Sequence, residues 1–244
     1  MPRIAPETLI RRRPPTGRHL LVSWCQVVGG IAIASGLASV EPTGLLRANL
    51  AGVAALLFVL VPDRMLRTRG EAWQDYGLPW WGIRDARTWR AWGLGAAVGV
   101  AVSLLVLPPF AAALVAGVRA WGIPAQFQPR IPPGFALAAA VQLLAVAIPE
   151  ELFYRGWMQT SWGRSGPSRR ILGADIGPGF LATQALFAAG HLVTLQPWRV
   201  ATFFPGLLFG WLRARTGGVV APAVAHALSN LLVLFLEASL LPYR

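Results

Sequence analysis

Seven apolar stretches, at about 19–40, 44–62, 91–118, 133–160, 177–195, 199–213 and 218–240, limit what this chain can fold into more than any other feature. A helix crossing a bilayer needs about 20 predominantly apolar residues, because hydrocarbon offers no partner for an unbonded backbone group. Seven such helices use most of the 244 residues. The sequence therefore predicts one all-α, polytopic transmembrane bundle of about seven helices rather than two domains. Composition agrees, with 55% hydrophobic and 13% charged residues, where a soluble domain carries about 25% charged. No internal repeat or low-complexity linker interrupts the pattern.

The formal net charge is +12, from 22 arginines, no lysine and 10 acids. A basic chain raises the question of nucleic acid. Here the arginines cluster in loops between apolar runs, so topology explains the charge and no nucleic-acid partner is expected. Residues 1–18 read as a basic cytoplasmic tail, and 19–244 as a single transmembrane domain. With the N-terminus inside, the loops at 63–90, 161–176 and 214–217 share its side, and that side collects sixteen arginines, counting Arg213 at a helix end. Five, Arg47, Arg119, Arg130, Arg199 and Arg244, fall opposite, which predicts an N-in, C-out arrangement. The run Leu21–Val40 exceeds a signal-peptide core of about 7 to 15 residues, so it is expected to remain as the first helix. Cys25 is the lone cysteine, which excludes an intramolecular disulfide and a thiolate cluster. Trp80 and Trp81 read as interface anchors without chemistry.

The chemistry concentrates in the last four stretches. Ala147-Ile-Pro-Glu-Glu-Leu-Phe-Tyr-Arg-Gly156 places two acids and a base after an apolar run, where an ionisable group costs at least about 2.5 to 3.5 kcal/mol. Glu151 and Arg155 are four apart, acid first, the favourable order for a helical ion pair. Glu150 is turned about 100° away and is free to face a cavity. Pro149 lacks a backbone donor and tends to kink the helix, making room for water beside Glu150. Phe187 and His191 share one helical face, as do His226 and Asn230. His226 and Asn230 are donors suited to a developing oxyanion, a role in which one lost donor costs about 3 to 4 kcal/mol. Helical rise puts Glu150, His191 and His226 at depths of about 15, 21 and 12 Å, compatible with one cavity. Each motif alone has a structural reading: a buried ion pair, a packing histidine, interhelical polar contacts.

Together Glu150-Glu151-x-x-x-Arg155, Phe187-x-x-x-His191 and His226-x-x-x-Asn230 resemble the membrane protease family that includes the CAAX prenyl endopeptidases and bacterial CPBP proteins. The resemblance spans about residues 133–240, and Glu-Glu-Leu-Phe-Tyr-Arg-Gly is its most specific part. It implies an intramembrane endopeptidase of glutamic type. Glu150 and His191 would activate water, His226 and Asn230 would stabilise the oxyanion, and Glu151 and Arg155 would orient the site.

The expected substrate is a membrane-associated protein or peptide cut near its C-terminus, without a cofactor. A zinc-dependent peptidase is the competing chemistry, since Glu and two His can ligate zinc, although His-Glu-x-x-His is missing. The same residues also suit a non-catalytic immunity or scaffold protein of the same family, or a transporter or proton relay, against which the absence of a repeat weighs. The arginine-, alanine- and glycine-rich composition suggests a multi-pass protein of a bacterial inner membrane.

Overall fold

The computed structural model describes residues 15–120, 127–164 and 167–240, so most of the basic tail expected at 1–18 lies outside the described residues. Among the described residues, seven helices longer than two turns follow the seven apolar stretches in order. They are α1 (Gly17–Val40), α2 (Leu50–Arg69), α3 (Ala86–Ala120), α4 (Phe135–Gly163), α5 (Pro178–Gly190), α6 (Phe203–Thr216) and α7 (Val220–Leu240).

Among the described residues, four of the seven helices, α1, α3, α4 and α7, are long and apolar enough to cross a membrane. In α2 the final turns carry Asp63, Arg64, Arg67 and Arg69. Helices α5 and α6 have 13 and 14 residues, about 20 Å each against a hydrocarbon core of about 30 Å. The fifth stretch, read from sequence as 177–195, stops being α-helical at Gly190. His191–Thr194 forms a tighter turn, Leu195 takes a left-handed φ of 56°, and Pro197 begins the next turn. A proline cannot continue a helix through its own nitrogen, so chain direction changes here.

The loop expected at 161–176 contains an antiparallel hairpin, β1 (Arg169–Ile171) and β2 (Ala174–Ile176), with Arg170 opposite Asp175. Its two turn residues, Leu172 and Gly173, have φ of 49° and 76°. A two-residue hairpin turn asks for positive φ at both positions, usually from Asn or Gly. Leucine in the first place hides that signal.

Helix α7 lies centrally, against α3 along its length, beside α6 and against the first half of α4. Gly99 permits the α3 approach, since a Cβ there would stand 2.6 Å from the Ala221 carbonyl oxygen. Leu20 and Val27 of α1 and Phe58 and Leu66 of α2 bury their side chains against Phe153, Tyr154, Trp157 and Met158 of α4. A smaller cluster joins Phe209 and Leu212 of α6 to Ala221 and Ala225 of α7.

The three loops assigned to one side from their arginines meet in the structure. Arg164, after α4, donates to the Asp75 carbonyl at 2.8 Å, and Val219 N–H donates to the Gly77 carbonyl at 2.9 Å. Glu71 is the hub of this end. It accepts from Arg69 Nε at 3.0 Å and from the Tyr76 hydroxyl at 2.7 Å, and Arg164 lies 3.8 Å away. Burial works against its ionisation, but the Arg69 and Tyr76 hydrogen bonds and the nearby arginines hold its carboxyl below the usual carboxylate range. Burial, followed by the bond to Glu71, pushes the Tyr76 phenol up to about 12.

Candidate active site

The site is built on a helix whose hydrogen bonding changes around Pro149. Without an N–H, Pro149 cannot close the bond to the carbonyl four residues earlier. Helix α4 is π-helical over Gln142–Ala147, α-helical over Ile148–Glu151, and π-helical again over Leu152–Gln159. The Ile148 N–H, for example, reaches back five residues to Leu143. Wide turns of this kind recur at functional sites. They flank the two glutamates.

Glu151 is fully buried. Its Oε1 accepts from Arg155 Nη1 at 2.9 Å and lies 2.9 Å from His226 Nδ1. The ion pair expected from the spacing is therefore made, and it extends to a second helix, α7. Arg155, also fully buried, gives Nη2 to Gln184 Oε1 at 2.8 Å and to the Gly206 carbonyl at 3.1 Å. Its guanidinium lies over the Phe187 ring at 4.2 Å, so a π face covers the charge where no water reaches it. Four elements, α4, α5, α6 and α7, converge on this one pair.

Phe187 forms the shared wall. His191 meets its ring edge-on with centroids 4.7 Å apart, and His226 does so at 5.9 Å. On its other side His226 stacks on Phe209 at 4.8 Å. His191 Nδ1 lies 2.9 Å from the Phe187 carbonyl oxygen. A carbonyl only accepts, so Nδ1 carries the proton and in the neutral ring Nε2 holds the lone pair. The same logic at Glu151 protonates Nδ1 of His226 and turns its Nε2 toward Glu150.

Glu150 contrasts with its neighbour. Its side chain is 15% exposed, its Oε2 has no hydrogen-bond partner among the described residues, and that oxygen is 4.0 Å from His226 Nε2. His226 thus brings an imidazole within 4.0 Å of Glu150. The Oε2 atom of Glu151 is likewise buried without a partner among the described residues. Asn230, one turn beyond His226, donates Nδ2 to Gln142 Oε1 at 2.8 Å.

Sequence reasoning missed Gln142, Gln184, Phe209, Gly206 and Gly210. A Cβ at Gly206 would stand 2.9 Å from Gln184 Oε1, and one at Gly210 would overlap Gln184 Nε2. Only glycine lets α6 bring its backbone to Arg155. A signal is present in the sequence, for Gly206-x-x-x-Gly210 is a small-xxx-small pattern in an apolar helix. Gln142 and Gln184 are uncharged polar residues inside apolar stretches, which is a weaker cue.

Residues 132–232 match the family model described as Rce1-like, type II CAAX prenyl endopeptidase Rce1-like. The chain carries an Rce1-like domain. At family level this match supports a CAAX-type intramembrane endopeptidase, a protease with a peptide or protein substrate. The Rce1-like segment runs from just before α4 into α7 and holds Glu150, Glu151, Arg155, His191, His226 and Asn230, whereas α1 to α3 precede it. No curated protein and no solved structure matches the chain.

Proposed function

We propose that this Rce1-like protein is a glutamic-type intramembrane peptidase that cuts a membrane-associated substrate near its C-terminus with a water activated at Glu150. The observation carrying this reading is the unequal treatment of adjacent carboxylates. Glu151 is bound by Arg155 and His226, while Glu150 keeps a buried oxygen that is unpartnered among the described residues and lies beside an imidazole. A carboxylate so placed can take a proton from water as it attacks a peptide carbonyl and return it to the leaving amine. No covalent intermediate is needed.

His191, oriented by the Phe187 carbonyl, is the partner of Glu150 in the family pattern. The 4.0 Å approach of His226 Nε2 to Glu150 favours a second arrangement, in which one water bridges these two groups. In either arrangement Asn230 donates to the oxyanion, and Glu151 with Arg155 holds the His226 ring in place. Among the described residues no three His, Cys, Asp or Glu side chains are grouped to hold a metal ion. The proposal is a metal-independent one, and metal analysis of purified active protein tests it: zinc removable only with loss of activity would favour the zinc chemistry instead. We place the protein in a bacterial inner membrane with its arginine-rich end in the cytoplasm, as the loop charges favour.

The deciding experiment compares membrane-proteome termini from cells carrying wild-type and Glu150→Gln protein. A fragment present with wild type and missing with the folded, inserted variant is expected. Full cleavage by Glu150→Gln would sink the mechanism.

A further inference from the structure

Asn230 depends on a residue that the proposed chemistry does not use. Gln142 opens the first π-helical stretch of α4, upstream of Glu150, and its Oε1 accepts the 2.8 Å bond from Asn230 Nδ2. This contact joins α4 to α7 one turn from His226. The carboxamide it holds is asymmetric, with two donors at one end and an acceptor at the other. The two ends have nearly the same shape, and the terminal torsion of asparagine is broad. An asparagine left to itself can thus turn its oxygen toward a developing oxyanion, where it repels. Once one Nδ2 hydrogen is committed to Gln142, the nitrogen's position is set and its second hydrogen remains for substrate.

We propose that Gln142 is a positioning residue that keeps the Asn230 amide nitrogen turned toward the reacting carbonyl. The inference rests on the peptidase reading for its catalytic consequence, but its structural half is independent of substrate. Asn49 and Asn230 are the two asparagines in the sequence, so selective 15N-asparagine labelling yields two side-chain amide pairs. Asn49 donates to the Leu45 carbonyl in another part of the fold and serves as the reference.

In lipid nanodiscs, Gln142→Met is expected to lose the exchange protection of the Asn230 amide while leaving Asn49 unchanged. Gln142→Glu, which retains acceptor oxygens, is expected to preserve it. With a fluorogenic farnesylated peptide ending in a CAAX sequence as probe, Gln142→Met should lower kcat about tenfold or more at unchanged KM. Gln142→Glu should recover at least about half of that activity. In an Asn230→Ala background, Gln142→Met should cause no further loss, because a residue acting through Asn230 has nothing left to position.

An Asn230 amide unaffected by Gln142→Met would overturn the contact, whatever the activity. Independent, multiplicative losses in the double variant would overturn the positioning role. Failure of wild-type protein to cleave the probe, with the amide signature intact, would instead count against the peptidase reading for that substrate.

Discussion

Two carboxylate–arginine nodes grip α4, one near its middle and one just past its end, and they use similar groups in different surroundings. Glu151 and Arg155 are both 0% exposed and are closed in by Gln184, Gly206, His226 and Phe187. The outer carboxylate, Glu71, is 16% exposed and its Arg164 partner 35%. In the outer node a lost bond is replaced by water. In the inner node removal of one partner leaves a bare charge in a dry interior, so the same chemistry becomes indispensable without making the pair a net source of stability. In the proposed mechanism the inner node supplies position, since Glu151 lies 2.9 Å from His226 Nδ1.

This contrast can be broken by substitution. The largest expected effect is from Arg155→Met, which strands the Glu151 carboxylate and should lower stability by about 3 to 5 kcal/mol in reversible unfolding in mixed micelles. A loss no greater than that of Arg164→Met would break the comparison. Next, Gly210→Ala should cost about 1 to 3 kcal/mol, because its Cβ would overlap Gln184 Nε2 and stand 2.6 Å from the Phe180 ring. Gly93→Ala in α3, where a Cβ would meet no neighbour within 4 Å among the described residues, is the control and should be neutral or slightly stabilising.

At the outer node Arg164→Met should cost about 1 kcal/mol or less, as partly exposed pairs do. The smallest effect is a pH slope. Glu71 has a lower pKa folded than unfolded, so its contribution is complete above the ordinary carboxylate range and is lost as pH falls through the folded value. Glu71→Gln should flatten the acid limb of a stability–pH curve. An unchanged limb would show that Glu71 does not carry it.

Much of the site is legible in the sequence because its pairs are local. Four-residue spacing is enough to join Glu151 to Arg155 and to place Asn230 on the face of His226. His191 is harder to read. Its apolar run continues to residue 195, but the helix ends at Gly190, so the imidazole caps a short helix instead of projecting from the middle of a long one. Gln142 and Gln184 escape notice because their partners lie 88 and 29 residues away, distances over which periodicity carries no information.

By itself the sequence determined the membrane class, the seven helices in order, the arginine-rich end and the local Glu151–Arg155 pair. Each of these follows from composition or from a repeat within one turn of helix. Tertiary structure alone decided that His226 stands between the two glutamates, that α5 and α6 are too short to span, and that two glycines of α6 let a backbone carbonyl reach Arg155. Those outcomes depend on how closely separate helices approach, which is set by packed side-chain volume and by the need to give every buried polar group a partner.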